Sequence, residues 1–519
     1  AQPPVPQPDR LSFHVRHRFT SLSSMSPTVL AVLVAGLVLR VILAIILPPG
    51  YDEAYYVLYG QNPSLSYFDH PLAVGLWSWL GQHIALAPWA MRIPGLLSYT
   101  AASFLLTQAT TTWFGYRSAW WLAALTSLCP LVLLCGGVLL LPDSPLILSV
   151  SVLLWWLSRH RTAVPGSGRE SLALALILAA LTLSKYQALL LLASLLAWTL
   201  VDPGRRCLWR RHWPWCSLLG WVAFSAPLWL WNVRHGWASF AFHAERTLGH
   251  SGFQPEGSLL FLLSQIGMLF PTIGVILFVM LWPRRPVEST AVGLLRCLAI
   301  PQLLFFVLLA GRMQVMASWL VPAWWITLPL AADWLARNGG RLRWIRLSGV
   351  ATAVMVPALL LIAAVQARWG VLETWWPTAR DPSAQLMDPD DLRLALEHDP
   401  AVWSALQRAD VIASHRYEIP GFLALALGKR VRARYSAFTS DPRGFAFWAP
   451  SGGFQGHQGV LVAPLDSEPL LRRRFPDVVG PLRPIGVVQV RRAGRPSMTL
   501  EVVGFGPLQG AYPWPYGSL

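Results

Sequence analysis

The chain has 519 residues, of which 54% are hydrophobic and only 13% charged, and its mean hydropathy is +0.46. Soluble domains carry about 25% charged residues, so this composition excludes an ordinary soluble protein and favours repeated membrane crossings. The net charge of +16 would suggest nucleic acid in a soluble chain, but here the basic residues lie mainly in short loops between apolar stretches, and we expect no nucleic-acid partner.

Apolar stretches recur from the N-terminal region to residue 366 and then stop. Residues 1–26 form a Pro-rich and then basic tail, in which we find no cleavable signal. Each later stretch approaches the roughly 20 residues that a helix needs to cross a bilayer. The pattern predicts about eleven transmembrane helices, near 27–49, 93–113, 118–139, 144–158, 171–184, 188–201, 214–231, 259–282, 291–310, 320–335 and 348–366.

The distribution of Lys and Arg predicts the orientation of these helices. One set of loops is Arg-rich, with Arg10, Arg16, Arg18, Arg117, Arg159, Arg161, Arg169, Arg205, Arg206, Arg210, Arg211, Arg284, Arg285, Arg337, Arg341, Arg343 and Arg346. The opposite set carries only Arg92, Lys185, Arg234, Arg246 and Arg312. Because cytoplasmic loops are enriched in Lys and Arg, we expect a cytoplasmic N-terminus and an external C-terminal part.

The stretch 71–89 is apolar enough to resemble a further crossing. Counting it would invert the following segments and move Arg159 and Arg161 to the outside, against the same rule. We therefore interpret 50–92 as a large external loop with interfacial or re-entrant helices. The expected transmembrane domain is 27–369.

Residues 370–519 have a different composition, with short apolar runs between polar clusters and Pro/Gly turns. A helix is predicted over 389–408, capped by Asp388, and strands are predicted at 411–413, 459–463, 486–490 and 498–503. No cysteine follows Cys297, so this part contains no disulfide. We expect a small periplasmic α/β domain.

The few ionisable residues predicted on the external side are candidates for chemistry, because charges near a bilayer are costly. They are Asp52, Glu53, Asp69, His70, Asp143, Lys185, His243, Arg246 and Arg312. A carboxylate can take the proton of an acceptor hydroxyl during sugar transfer, and Lys or Arg can balance the charge of a phosphate leaving group. A prenyl-phosphate carrier would supply sugar where nucleotide sugars are absent.

Structural roles remain open for the same residues. Asp52, Asp69 and Asp143 each stand where a helix can begin, and Lys185 can extend from a helix end toward water. His243 can be an ordinary interface histidine, and Arg312 a charge at a helix end.

Two further patterns are excluded as sites. Asp388-Pro389-Asp390-Asp391 contains Asp-x-Asp but directly precedes a helical run, which favours capping. The segment from Gly421 to Gly428-Lys429 is too long for a P-loop and has Arg430 where Ser or Thr is required.

The external segments resemble a known family. The run YDEAYYVLYGQNPSLSYFDHPLAVGLWSWL, followed by LPDSPL, LSKYQALL and WNVRHGWASF, is similar to the bacterial membrane glycosyltransferases related to protein O-mannosyltransferases and to the lipid A aminoarabinose transferases. The resemblance spans most of 50–325, extends loosely to 410–465, and implies a GT-C fold, a polyprenyl-phosphate sugar donor and an inverting transfer.

The resemblance also implies roles for individual residues. Asp52 matches the family's base or acceptor-orienting acid, with Glu53 and Asp143 at further acidic positions. Lys185 matches a lysine at the external end of a membrane-spanning helix, which suggests phosphate binding. His70 stands where the lipid A enzymes have a lysine that faces the donor phosphate. Arg246 and Arg312 are additional candidates for that phosphate.

A divalent metal ion is the one cofactor that the resemblance raises. The lipid A enzymes pair the acid before their Lys-Pro segment with a downstream histidine to hold a metal, and Asp69 and His243 occupy those places. Two ligands alone do not make a metal site.

We therefore predict a multi-pass bacterial inner-membrane glycosyltransferase that acts on a lipid, glycan or protein acceptor at the periplasmic face. The alternatives are a lipid flippase or transporter, which would favour inverted repeats that we do not find, and a non-catalytic scaffold for envelope assembly.

Overall fold

The computed structural model describes residues 25–160, 168–248, 252–282, 289–339, 343–375, 377–450, 453–465 and 480–510. The predicted tail over 1–24 and several loop arginines, including Arg161, Arg284 and Arg285, lie outside these residues. The described chain is mostly helical as far as Trp369, and the sheet follows in the C-terminal part.

Apolar sequence and helix-starting prolines produce a run of helices in the first part. The first nine are α1 Pro27–Ile46, α2 Tyr51–Gln61, α3 Leu72–Ile84, α4 Pro88–Phe114, α5 Tyr116–Leu128, α6 Pro130–Gly137, α7 Asp143–Arg159, α8 Gly168–Ser184 and α9 Ala188–Val201. The next nine are α10 Pro203–Arg206, α11 His212–Phe224, α12 Ala226–Arg234, α13 Ala238–Leu248, α14 Pro255–Met268, α15 Pro271–Leu281, α16 Thr290–Ala310, α17 Val321–Asn338 and α18 Arg343–Trp369.

Each of the eleven predicted crossings falls on one of these helices or on two consecutive ones. By length and composition, three described helices could cross a membrane (α1, α16 and α18), or up to six if each bent pair forms one crossing. The bends fall at α5–α6, α9–α10 and α11–α12. At the first two of these bends the second helix begins with a proline, Pro130 in α6 and Pro203 in α10. The number of crossings stays a prediction.

The loop over 50–92 contains the two short helices α2 and α3. At 13 residues, α3 rises only about 20 Å, which is short for a crossing. It packs against α2 and α4, while Trp79, Leu80 and Ile84 remain exposed. The assignment of 50–92 to an external loop, rather than to a further crossing, stays a prediction.

The centre of the helical part is built around α17. Its Trp324 and Trp325 are fully buried, and their indole N–H groups donate to Gln265 Oε1 and Ser151 Oγ, each at 2.8 Å. By contrast, α18 presents exposed apolar side chains such as Val354, as expected of a lipid-facing helix.

The C-terminal part folds into a mixed sheet with helices against it. Its helices are α19 Pro389–His398, α20 Pro400–Arg408, α21 Ile419–Leu427 and α22 Phe445–Trp448. Its strands are β1 Val411–Ser414, β2 Arg434–Ala437, β3 Gly459–Pro464, β4 Arg483–Arg492 and β5 Arg495–Phe505. The order is β2-β1-β3-β5-β4, with β1 parallel to β2 and β3, and β5 antiparallel to β3 and β4.

Four of these strands and the Asp388 cap confirm the predictions, whereas β2 and α21 were not anticipated. Asp388 accepts hydrogen bonds from the main-chain N–H groups of Asp390 and Asp391. The helical stretch predicted over 389–408 is present as two helices, because Pro400 interrupts it and Asp399 caps the second helix.

The C-terminal part, which we call the outer domain, packs directly on the first loop. Helix α21 lies against α2, and Gly421 is so close that an added Cβ would lie 1.8 Å from the carbonyl oxygen of Ala54. Ala54 belongs to the hydrophobic core of the outer domain, together with Phe422 and Leu423. The outer domain therefore rests on the helix that begins with Tyr51-Asp52-Glu53.

Candidate active site

A cavity of about 610 Å³ lies between the first loop, the helical part and the outer domain. Eight of the nine predicted site residues line it: Asp52, Glu53, Asp69, His70, Asp143, Lys185, His243 and Arg246. Further lining comes from apolar residues, including Leu131, Leu139, Met268, Phe305, Phe306, Leu309 and Met313. The cavity thus combines ionisable groups with an apolar wall, to which α6 and α16 contribute.

Glu53 fixes the start of α2 from the inside of the protein. Its carboxylate is buried, accepts from Arg92 at 2.6 and 2.8 Å, and also accepts from the main-chain N–H groups of Gly50 and Leu140 at 2.9 and 2.8 Å. Arg92 additionally donates to the carbonyl oxygens of Ala44, Leu47 and Pro48. These bonds join the end of α1 to α2 and α4, so Glu53 holds its neighbour Asp52 in place.

Asp52 lies at the cavity wall on the first turn of α2. Its Oδ1 accepts a hydrogen bond from the hydroxyl of Tyr417 at 3.2 Å. Burial raises the pKa of the Asp52 carboxyl, and the guanidinium of Arg443 partly opposes that rise. A carboxylate with a raised pKa, facing a cavity, is suited to accept a proton.

Asp69 is held among aromatic hydroxyls. Its Oδ1 accepts from Tyr55 at 3.2 Å and from Tyr59, and its Oδ2 lies 3.5 Å from Nη1 of Arg443. His243 instead meets the main-chain oxygen of Asp69, at 3.2 Å from Nε2.

A metal site of Asp69 and His243 does not fit this arrangement. The carboxylate faces Arg443 and the tyrosines, while the imidazole faces the main chain. Among the described residues, no three or more His, Cys, Asp or Glu side chains lie together as metal ligands.

His70 lines the cavity with its ring edge-on to Tyr56, at 5.4 Å between ring centroids. Its buried Nδ1 has no hydrogen-bond partner among the described residues. Burial, followed by the nearby charge of Lys185, lowers the pKa of His70 well below its ordinary value. The ring is therefore neutral at pH 7 and can donate or accept a hydrogen bond, but it supplies no positive charge.

Lys185 and Asp143 form a buried ion pair at the cavity wall. Nζ of Lys185 lies 2.8 and 3.0 Å from the two carboxylate oxygens of Asp143, and both side chains are more than nine-tenths buried. Asp143 opens α7, and Lys185 follows the last residue of α8. The pair joins two helix ends beside the cavity, and Asp143 already balances the charge of Lys185.

The two remaining cations lie in different environments. Arg246, on α13, is half-buried with its guanidinium 5.1 Å from the ring centroid of Trp319, and burial lowers its pKa. Arg312 is exposed and is absent from the cavity lining. Of the two arginines, only Arg246 is placed to meet a ligand there.

Two polar cavity residues come from the outer domain and were missed by the sequence analysis. Tyr417 precedes α21, and Arg443 lies in the turn before α22. The guanidinium of Arg443 lies 3.7 Å from the ring centroid of Tyr417. Nothing in the local sequence of either residue separates it from an ordinary surface turn; only the packing of α21 on α2 brings them to the site.

Residues 69–231 match the family described as dolichyl-phosphate-mannose-protein mannosyltransferase. No curated protein matches the chain.

Among solved structures, ArnT from Cupriavidus metallidurans has the same fold. Its apo structure is 17% identical, with a TM-score of 0.58 over 92% of this chain and 97% of that one. Its structure bound to undecaprenyl phosphate is also 17% identical, with a TM-score of 0.57 over 92% and 98% of the two chains. The predicted resemblance is confirmed: the chain has the GT-C fold of these membrane glycosyltransferases, with the mannosyltransferase family match over residues 69–231.

Proposed function

We propose that the chain transfers a sugar from a polyprenyl-phosphate donor, of the undecaprenyl-phosphate type, to an acceptor at the periplasmic face of the inner membrane. The observation that carries this proposal is the cavity, in which Asp52 faces cationic groups beside an apolar wall. ArnT, which has the same fold, was solved with undecaprenyl phosphate bound. The acceptor is a lipid, a glycan or a protein.

The donor would lie across both parts of the cavity. Its polyprenyl chain fits the apolar wall formed by Phe305, Phe306 and Leu309 of α16, since burial of each methylene contributes about 0.8 kcal/mol. Its phosphate belongs at the ionisable end, near Arg246 and Lys185.

The reaction that this geometry supports is a direct displacement at the anomeric carbon. The acceptor oxygen forms a bond to that carbon, its proton moves to Asp52, and the bond from carbon to the phosphate oxygen breaks. The electron pair of that bond leaves with the polyprenyl phosphate, whose growing negative charge is balanced by the cavity cations. One displacement inverts the configuration of the sugar.

The orientation follows from the arginine distribution. A cytoplasmic N-terminus places the cavity and the outer domain in the periplasm, where the donor is delivered through the bilayer. Membrane lipids contact the exposed apolar faces of helices such as α18.

A transfer assay tests the proposal. The purified chain is supplied in detergent with a panel of radiolabelled polyprenyl-phosphate sugars and an envelope extract, and compared with Asp52→Asn. Loss of a positioned general base costs about 10²- to 10⁴-fold in rate, which is the expected loss for Asp52→Asn. Asp390→Asn, which changes an exposed acid of the outer domain, is the matched control.

The alternatives predict other outcomes of the same assay. Equal turnover by the native chain and Asp52→Asn would remove Asp52 from the mechanism. No turnover with any donor would favour a flippase or a scaffold.

A further inference from the structure

We propose that a second cavity, between α5, α15, α17 and α18, binds an anionic phospholipid of the bilayer. Its volume is about 440 Å³, within the roughly 300–1,000 Å³ that is typical of small-molecule sites. Among the described residues, it shares no lining residue with the cavity that contains Asp52. The site is therefore separate from sugar transfer, and binding to it can be measured without a donor or an acceptor.

Most of the lining of this second cavity suits a hydrocarbon chain. Its apolar side chains include Leu125, Leu128, Ile273 and Ile276. The hydroxyl of Thr352 donates to the carbonyl oxygen of Ser348 at 2.7 Å, so the hydroxyl of Thr272, 2.8 Å away, donates to Thr352. Because both threonine protons are used within the protein, an acyl chain can lie against them without leaving a donor unpaired.

The helix ends that border the second cavity carry arginines. Arg346 lines the cavity, and Arg343 lies one turn before it on α18. Arg117 lies one turn before Trp120 and Trp121, which line the cavity from α5. All three arginines are exposed, and none of them pairs with an acid among the described residues.

Contacts between α5 and α17 bring these helix ends together. Oγ of Ser118 lies 3.5 Å from Oδ1 of Asp333, and a Cβ added at Gly339 would lie 2.7 Å from the indole of Trp121. Asp333 is itself paired with Arg337 at 2.7 Å, so it does not balance the other arginines. The resulting excess of positive charge at this end is complementary to an anionic head group.

An anionic phospholipid combines the two chemical features that the second cavity accommodates. Basic pockets between membrane helices bind anionic head groups, and the apolar lining receives an acyl chain. Trp120 is 39% exposed, and its indole N–H can donate to an ester carbonyl at the membrane interface. The arginine distribution predicts that this end faces the cytoplasm, so the lipid would come from the cytoplasmic leaflet.

The test compares two lipids that share their acyl chains and differ in the charge of the head group. Phosphatidylglycerol and phosphatidylcholine are titrated into the purified full-length chain in detergent, and native mass spectrometry measures the fraction that retains lipid. We expect the native chain to retain phosphatidylglycerol at the lower concentration. Arg346→Gln should weaken that binding by about three- to tenfold and leave phosphatidylcholine unchanged. Arg210→Gln, which changes an exposed arginine of another predicted cytoplasmic loop, is the matched control and should bind like the native chain.

Two variants of Gly349 test whether the lipid enters the second cavity. Gly349 lines the cavity, and a Cβ added there meets no atom within 4 Å. Gly349→Leu should occupy part of the space and weaken the binding of both lipids, whereas Gly349→Ala should bind like the native chain. Both substitutions favour helix formation, so α18 should be retained in each.

Equal retention of the two lipids by the native chain would show a nonspecific lipid occupant and overturn the proposal. Unchanged phosphatidylglycerol binding in Arg346→Gln, or an equal loss in Arg210→Gln, would separate the lipid from this cavity. Unchanged binding in a folded Gly349→Leu protein would do the same. None of these results bears on sugar transfer, which Asp52→Asn tests separately.

Discussion

Tyr417 donates a hydrogen bond to the ionised form of Asp52, which stabilises that form and lowers the pKa of the carboxyl against the larger effect of burial. Activity that requires ionised Asp52 should fall as the pH drops through its raised pKa. Tyr417→Phe removes the hydrogen bond, so the acid limb of the pH–rate profile should move to higher pH, with a loss of about two- to tenfold in rate on that limb. A limb that stays in place or moves to lower pH would contradict this role of Tyr417.

The buried pair of Lys185 and Asp143 makes a prediction about stability. Removing one partner leaves an uncompensated buried charge, so Asp143→Ala should cost about 3–5 kcal/mol of folding free energy. The combination Asp143→Ala with Lys185→Met should recover most of the loss. Thermal unfolding in detergent measures both. Additive losses in the double variant would show that the pair is not coupled.

Some residues of the cavity could be predicted from the sequence and others could not. Ionisable residues in loops predicted to be external and sparsely charged include eight cavity residues, because charge near a membrane is rare. The ion pair between Glu53 and Arg92 joins residues far apart in the chain, and nothing in the sequence around either residue predicts it. Arg443 was missed for the same reason, since it reaches the cavity only through the packing of the outer domain.

At the scale of elements, the contact between α2 and α21 controls how the outer domain meets the site. A side chain at Gly421 would collide with the carbonyl oxygen of Ala54, so Gly421→Val should force the helices apart and withdraw Tyr417 and Arg443 from the cavity. We expect a destabilisation of about 1–3 kcal/mol together with a loss of transfer.

Gly267→Ala is the matched control for that variant, because an added Cβ meets no atom within 4 Å there. It should retain activity and melt at the native temperature or slightly higher. Melting temperature and transfer rate are measured on both proteins. Native activity in a folded Gly421→Val protein would show that catalysis does not depend on the contact between the outer domain and α2.

Elements were predictable to different degrees for physical reasons. Long apolar stretches are unambiguous in sequence, and each predicted one lies on helices. The break at Pro400 turned one predicted helix into two, because proline lacks the N–H that the preceding turn requires. Strand β2 has the sequence Arg-Tyr-Ser-Ala and so lacks the apolar run that made the equally short β1 predictable.

At the scale of the whole molecule, the arginine distribution predicts which surfaces face the periplasm. Cys207 is exposed in a predicted cytoplasmic loop, and Lys429 is exposed on the outer domain. In intact cells with a permeabilised outer membrane, an impermeant thiol reagent should label Lys429→Cys and leave Cys207 unlabelled, in a Cys216→Ser background. Labelling of Cys207 but not of Lys429→Cys would show that the orientation is opposite to the predicted one.

The most direct test of the central claim is an experimental structure of the chain with undecaprenyl phosphate bound in lipid nanodiscs. We expect the phosphate within about 3 Å of Arg246 or Lys185, the isoprenoid chain along Phe305 and Phe306, and Asp52 open to an incoming acceptor. Lipid density outside this cavity, with the cavity itself vacant, would contradict the proposed donor site and the mechanism built on it.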